Sequence, residues 1–143
     1  MHGMFNGCYK LTSLNLNSLD KSSVTDMHGL FSSCSSITSF ELNKLNTSLA
    51  EDMTVLLNNC TSLKSLDLRN FDTSSVQKFH RIFRHCFSLL SLNIGSFNTS
   101  SCYNFNQIFL GCSSLISLNL SHFDISLPTY IYIIFLTTVI KML

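Results

Sequence analysis

The sequence predicts an α/β solenoid: about five coils of 26 residues, with parallel strands on one face and short helices on the other. Three observations predict it. Cys8, Cys34, Cys60, Cys86 and Cys112 recur every 26 residues. Apolar residues hold fixed offsets behind each cysteine. Within every unit the apolar period changes, from that of a strand to that of a helix, and a fixed period of this length dictates stacked coils.

The strand half is the more regular. Three positions after the cysteine stand Leu11, Ile37, Leu63, Leu89 and Leu115, and six after it Leu14, Phe40, Leu66, Leu92 and Leu118. Eight after it come Leu16, Leu42, Leu68, Ile94 and Leu120, and eleven after it Leu19, Leu45, Phe71, Phe97 and Phe123. The pattern is L-x-x-L-x-L-x-x-F, a leucine-rich repeat whose L-x-L portion alternates as a strand does. In the other half, Val24, Met27, Leu30 and Phe31 fall on one helical face, as do Ala50, Met53, Leu56 and Leu57. The same slots hold Val76, Phe79, Ile82 and Phe83, then Cys102, Phe105, Ile108 and Phe109. Ser/Thr-rich turns such as Asp72-Thr73-Ser74-Ser75 precede these stretches and supply N-caps. A ladder of Asp20, Asn46, Asp72, Asn98 and Asp124 is expected to organise the turn into the helix.

A single unit cannot bury its apolar face, but stacked units can. Hydrophobic residues make up 45% and charged residues 12% of the chain, which excludes a disordered polyelectrolyte. The net charge of +1 gives no global signal for nucleic acid or an anionic membrane. No nucleophile motif, phosphate loop or metal spacing is present, so neither catalysis nor a cofactor is expected.

The cysteine ladder, Cys8, Cys34, Cys60, Cys86 and Cys112, reads as structural. Adjacent coils lie about 5 Å apart, within the reach of a disulfide. Yet the five would point the same way along a line, whereas zinc needs four ligands converging on one point. Buried free thiols fit best, and Cys102, in a slot held elsewhere by Val or Ala, agrees. Disulfides or a metal remain the other readings.

The expected partner-binding surface is the outward side of the parallel strands. Its residues are Ser13 and Asn15, Ser39 and Glu41, Ser65 and Asp67, Ser91 and Asn93, and Ser117 and Asn119. Extended faces of this kind commonly bind protein ligands, although a uniform Ser/Asn strip also serves simply to solvate a sheet. The run Lys78-Phe79-His80-Arg81-Ile82-Phe83-Arg84-His85 is basic between its core slots. It reads as a solvated outer helical face, with an anionic partner as the alternative. Asn-x-Ser/Thr sequons at Asn46, Asn59, Asn98 and Asn119 carry little weight in so Ser- and Asn-rich a chain.

The repeat array is expected over residues 1–127, starting mid-unit, because Met1-His2-Gly3-Met4-Phe5 matches Met27-His28-Gly29-Leu30-Phe31. That match favours a fragment of a longer array. Residues 128–143 form a separate apolar segment, with no charge from Ile125 to Ile140. It is shorter than the roughly 20 apolar residues of a spanning helix. A degenerate last helix, a truncated membrane anchor and a frameshifted end all remain open, and membrane contact is expected only here.

The segment Cys60-Thr61-Ser62-Leu63-Lys64-Ser65-Leu66-Asp67-Leu68-Arg69-Asn70-Phe71-Asp72-Thr73-Ser74-Ser75-Val76 closely resembles the repeat of BspA-like leucine-rich-repeat surface proteins. The likeness runs over about residues 1–127 and departs at Leu49-Ala50-Glu51-Asp52. It implies a cell-surface or extracellular location and, in some members, adhesion to host or matrix proteins. The expected function is therefore a non-enzymatic protein-binding or display module, an adhesin fragment. The rivals are an intracellular interaction scaffold and a non-functional piece of a longer array.

Overall fold

In the computed structural model, residues 1–16 and 24–126 are described. Leu19, Asp20 and the apolar segment 128–143 lie outside them. Two strands form, β1 (Ser65–Asp67) and β2 (Ser91–Asn93), paired in parallel with Ser65 opposite Ser91, Leu66 opposite Leu92 and Asp67 opposite Asn93. The register is the 26-residue repeat itself. Single parallel bridges extend it at Ser39–Ser65 and, on a second side, through Asp26, Asp52, Lys78 and Asn104.

The expected leucine-rich-repeat solenoid, with helices on one face of about five coils, is corrected by this structure. Among the described residues there is no helix, and strand is confined to β1 and β2. The stretches read as helical are stacks of tight turns. Leu30, Ser32 and Cys34 each donate an N–H to the carbonyl three residues back, at 3.2, 3.1 and 3.3 Å. The amides between them leave the unit: Gly29 donates to Thr54 at 2.9 Å, Phe31 to Leu56 at 3.0 Å and Ser33 to Asn58 at 2.7 Å. The next unit repeats this, from Val55 to His80, Leu57 to Ile82 and Asn59 to Arg84.

The physical reason lies in this division of bonds. An α-helix closes every amide on its own segment, four residues back, and eight residues alone are too few to sustain one. Here half of the amides hold the neighbouring unit instead. Turns of three residues bring i, i+3 and i+6 to one side just as a helix does, so the apolar spacing fits both.

The alternation needs left-handed backbone at two positions of each unit. One column holds Gly3, Gly29, Val55, Arg81 and Gln107, the other Gly7, Ser33, Asn59, His85 and Gly111, all at φ between 49° and 82°. Glycine adopts this region freely, whereas a β-branched residue strains. Val55, at φ 49°, is the costliest member. Val55→Gly is expected to stabilise the chain by about 1 kcal/mol, seen as a higher urea midpoint at unchanged m; a lower midpoint would contradict this backbone assignment.

The core runs along the stack. Met27, Phe31, Met53, Leu57, Phe79, Phe83, Phe105 and Phe109 line its turn side, all buried. Phe79 stacks on Phe105 at 6.1 Å and Phe83 on Phe109 at 5.7 Å, nearly parallel in each case. Leu63, Leu66, Leu68, Leu89, Ile94, Leu115 and Leu118 close the strand side.

Candidate functional site

The exposed side of the strands is assembled by the alternation of the L-x-L segment. Leu66 is buried between exposed Ser65 and Asp67, and Leu118 between exposed Ser117 and Asn119. Ser13, Asn15, Ser39, Glu41, Ser91 and Asn93 are exposed as well. Inter-unit amide bonds just before the strip hold it together: Lys64 to Thr38, Leu90 to Lys64 and Ile116 to Leu90, at 3.0, 2.9 and 3.4 Å. The strip therefore has serines in one column and amides or carboxylates in the next, repeated at roughly the 4.8 Å spacing of paired strands.

The second column is less available than its composition suggests. Asp67 Oδ1 accepts the Arg69 amide at 3.1 Å, and Asp67 Oδ2 accepts Arg69 Nε at 2.8 Å. The Arg69 side chain beside it, then the backbone amide, hold the Asp67 carboxyl below the usual carboxylate range. Asn93 Oδ1 takes the Gly95 amide at 3.2 Å, and Asn119 Oδ1 takes the Ser121 amide at 2.9 Å. These are Asx turns that end the strand segments. What remains for a ligand is the amide nitrogens of Asn93 and Asn119 and the serine hydroxyls.

Three open depressions lie along this face. One runs between Ser13–Leu16 and Ser39–Lys44, one over Glu41, Asn43, Asp67 and Arg69, and one between β1 and β2. They adjoin through Glu41 and Asp67. At its far end the strip turns apolar, with Leu90 and Ile116 exposed, Ile116 to 72%.

Cys8, Cys34, Cys60, Cys86 and Cys112 are free thiols, buried except for the half-buried Cys8. Four of them donate to a carbonyl of the preceding unit: Cys34 Sγ to Phe5, Cys60 Sγ to Phe31, Cys86 Sγ to Leu57 and Cys112 Sγ to Phe83, at 3.1–3.3 Å. Burial pushes the Cys34 thiol up to about 11 and Cys60 and Cys112 up to about 12, and raises Cys86 well above its ordinary value. Groups held so firmly as neutral thiols are poor nucleophiles and poor metal ligands. Among the described residues, no three His, Cys, Asp or Glu side chains gather as a metal site.

One ladder escaped the sequence reading. Thr47, Thr73 and Thr99 are buried, and their hydroxyls donate to the carbonyls of Asp72, Asn98 and Asp124 at 2.9, 2.9 and 3.3 Å. Thr73 and Thr99 also accept amides, from Asn98 at 2.8 Å and Asp124 at 2.7 Å. Their 26-residue spacing was the available signal. Beside them Asn46, Asp72, Asn98 and Asp124 accept the amides of Ser48, Ser74, Ser100 and Ser126. That ladder organises Asx turns, and among the described residues no helix follows them.

Residues 1–123 match a family described as "Mycoplasma protein of unknown function, DUF285". The chain belongs to this family. No curated protein matches the chain, and no solved structure does. Within this DUF285 chain, no helix among the described residues is long and apolar enough to cross a membrane.

Proposed function

We propose that this DUF285 chain is a non-enzymatic display module that presents the face running from Ser13 to Asn119 to a protein partner at a cell surface. The observation that carries the reading is the coincidence of the three depressions with this one strip. A face of repeated hydroxyls and amides, with charge at Glu41 and apolar surface at Leu90 and Ile116, offers a partner both polar contacts and an anchor. The likeness to BspA-like surface proteins supports adhesion as the use of that face.

The test immobilises the chain and passes soluble matrix glycoproteins over it, comparing wild type with a Ser65→Arg, Ser91→Arg, Ser117→Arg triple variant. Three arginines on an open face leave the core untouched. Saturable binding that falls by on the order of tenfold or more in the variant supports the reading, a loss of about 1.4 kcal/mol. Equal binding by both proteins removes the site from this face, and no binding to any of the glycoproteins removes the adhesin reading.

A second reading, an intracellular scaffold using the same face, is favoured by the six free cysteines, a state that reducing compartments maintain. Biotinylation of intact cells with a membrane-impermeant reagent separates the two. Labelled chain supports surface display, and chain labelled only after lysis supports the scaffold.

A further inference from the structure

The run from Lys78 to His85 buries Phe79, Ile82 and Phe83 and leaves Lys78, His80, Arg81, Arg84 and His85 half-buried on the outer side of the turn stack. From His80 to His85 the matching slots of the units on either side carry no Asp, Glu, Lys or Arg, so two arginines meet an uncharged surround. Lys78 is answered, its Nζ lying 3.2 Å from Asp52. Neither Arg81 nor Arg84 takes part in an ion pair among the described residues. Arg81 Nε donates to a neutral acceptor, Gln107 Oε1, at 2.8 Å.

Two nitrogens of this run are shielded from solvent with no hydrogen-bond partner, Arg84 Nε and His80 Nε2. Such atoms are costly unless something answers them. The third atom of this kind, Asn58 Oδ1, lies in the column of Arg84 one unit earlier. The imidazole of His80 is pushed below its ordinary value, first by burial and then by Arg81 and Arg84, against a weaker upward pull from Asp52 and a further push from His28. Arg81 and Arg84 are close enough to act on His80, and the carboxylate that also reaches it, Asp52, is already paired with Lys78.

We propose that this run is an oxyanion site that takes a phosphate or sulfate group between Arg81 and Arg84, with His80 as a third donor. A tetrahedral oxyanion offers several acceptors to guanidinium forks, and such charge-assisted bonds are the strong ones. The site lies outside the strand strip and does not depend on the reading of that face.

The experiment titrates inorganic phosphate, and separately inorganic sulfate, into the full chain at low ionic strength. Calorimetry reads binding while the His80 and His85 ring protons are followed by NMR. Saturable binding is expected, with the His80 pKa rising by about half a unit or more as the anion arrives. Arg81→Gln and Arg84→Gln are each expected to weaken binding on the order of tenfold, while Lys10→Gln, in the first unit, leaves it unchanged. Near-uv dichroism of the same samples reports whether each variant is folded. Tighter phosphate than sulfate at pH 8 assigns a phosphoryl ligand, and the reverse order a sulfated one. Absence of saturable binding by the wild-type chain overturns the proposal, whatever the variants do. So does an equal loss in Lys10→Gln, which marks diffuse attraction to net charge.

Discussion

Raising the pH from 8 to 10.5 is expected to remove a large share of the stability of the folded chain. Cys60 and Cys112 titrate near 9.0 when unfolded and at about 12 when folded, because burial opposes the thiolate. Above pH 9 the unfolded chain releases these protons and the folded chain keeps them. The unfolded state then binds fewer protons, so stability falls as pH rises. It is fully present below pH 9 and is lost progressively towards 12. At pH 10.5 each of the two thiols removes about 2 kcal/mol, together a large share of the roughly 5–15 kcal/mol of a whole domain. Cys86, also raised by burial, adds to the loss. Urea unfolding at successive pH values reads the effect, and a double Cys60→Ala, Cys112→Ala variant is expected to flatten the alkaline limb. A midpoint that stays level from pH 8 to 10.5 would remove the buried thiols from the account.

Phe83→Ala is expected to cost about 3–5 kcal/mol, the range for a large aromatic removed from a packed core. Phe83 is fully buried and lies on Phe109 at 5.7 Å with the rings 4° from parallel. Its amide donates to Ile108 and its carbonyl accepts the Cys112 thiol, so the cavity opens where two units are joined. Phe87→Ala is the control. Phe87 is 45% exposed, and its change is expected to stay within about 0.5 kcal/mol. Thermal unfolding of the two variants side by side decides it; equal shifts would mean that the ring stack contributes nothing of its own.

These two phenylalanines also show how far the sequence could be read. Phe83 stands in a slot filled by Phe5, Phe31, Leu57 and Phe109, and the 26-residue recurrence alone is enough to mark that column as apolar. The helix drawn through it was wrong because three-residue turns and a helix share the i, i+3 pattern. Glycines at 3, 29, 7 and 111 carried the missing signal, since they stand in the two left-handed columns. Val55, Arg81, Gln107, Asn59 and His85 masked it by occupying the same columns without glycine's freedom. On the strand face, the alternation was enough to pick out Ser65, Asp67, Ser91 and Asn93 as outward. It could not reveal that Asp67 and Asn93 spend an oxygen on their own turns, a matter of local geometry that period does not encode. The orphan nitrogens of Arg84 and His80 are likewise products of packing.

Many of the links between units are amide-to-carbonyl bonds that recur from one unit to the next, and these are indifferent to side-chain identity. The column just before the strand strip shows the result: Thr12, Thr38, Lys64, Leu90 and Ile116 place five exposures of hydroxyl, cation and hydrocarbon on one unchanged backbone course. Such a scaffold works like a type case, in which each outward letter can be exchanged without resetting the frame. Lineages carrying it are free to rewrite what the molecule shows to its surroundings while keeping how it is built.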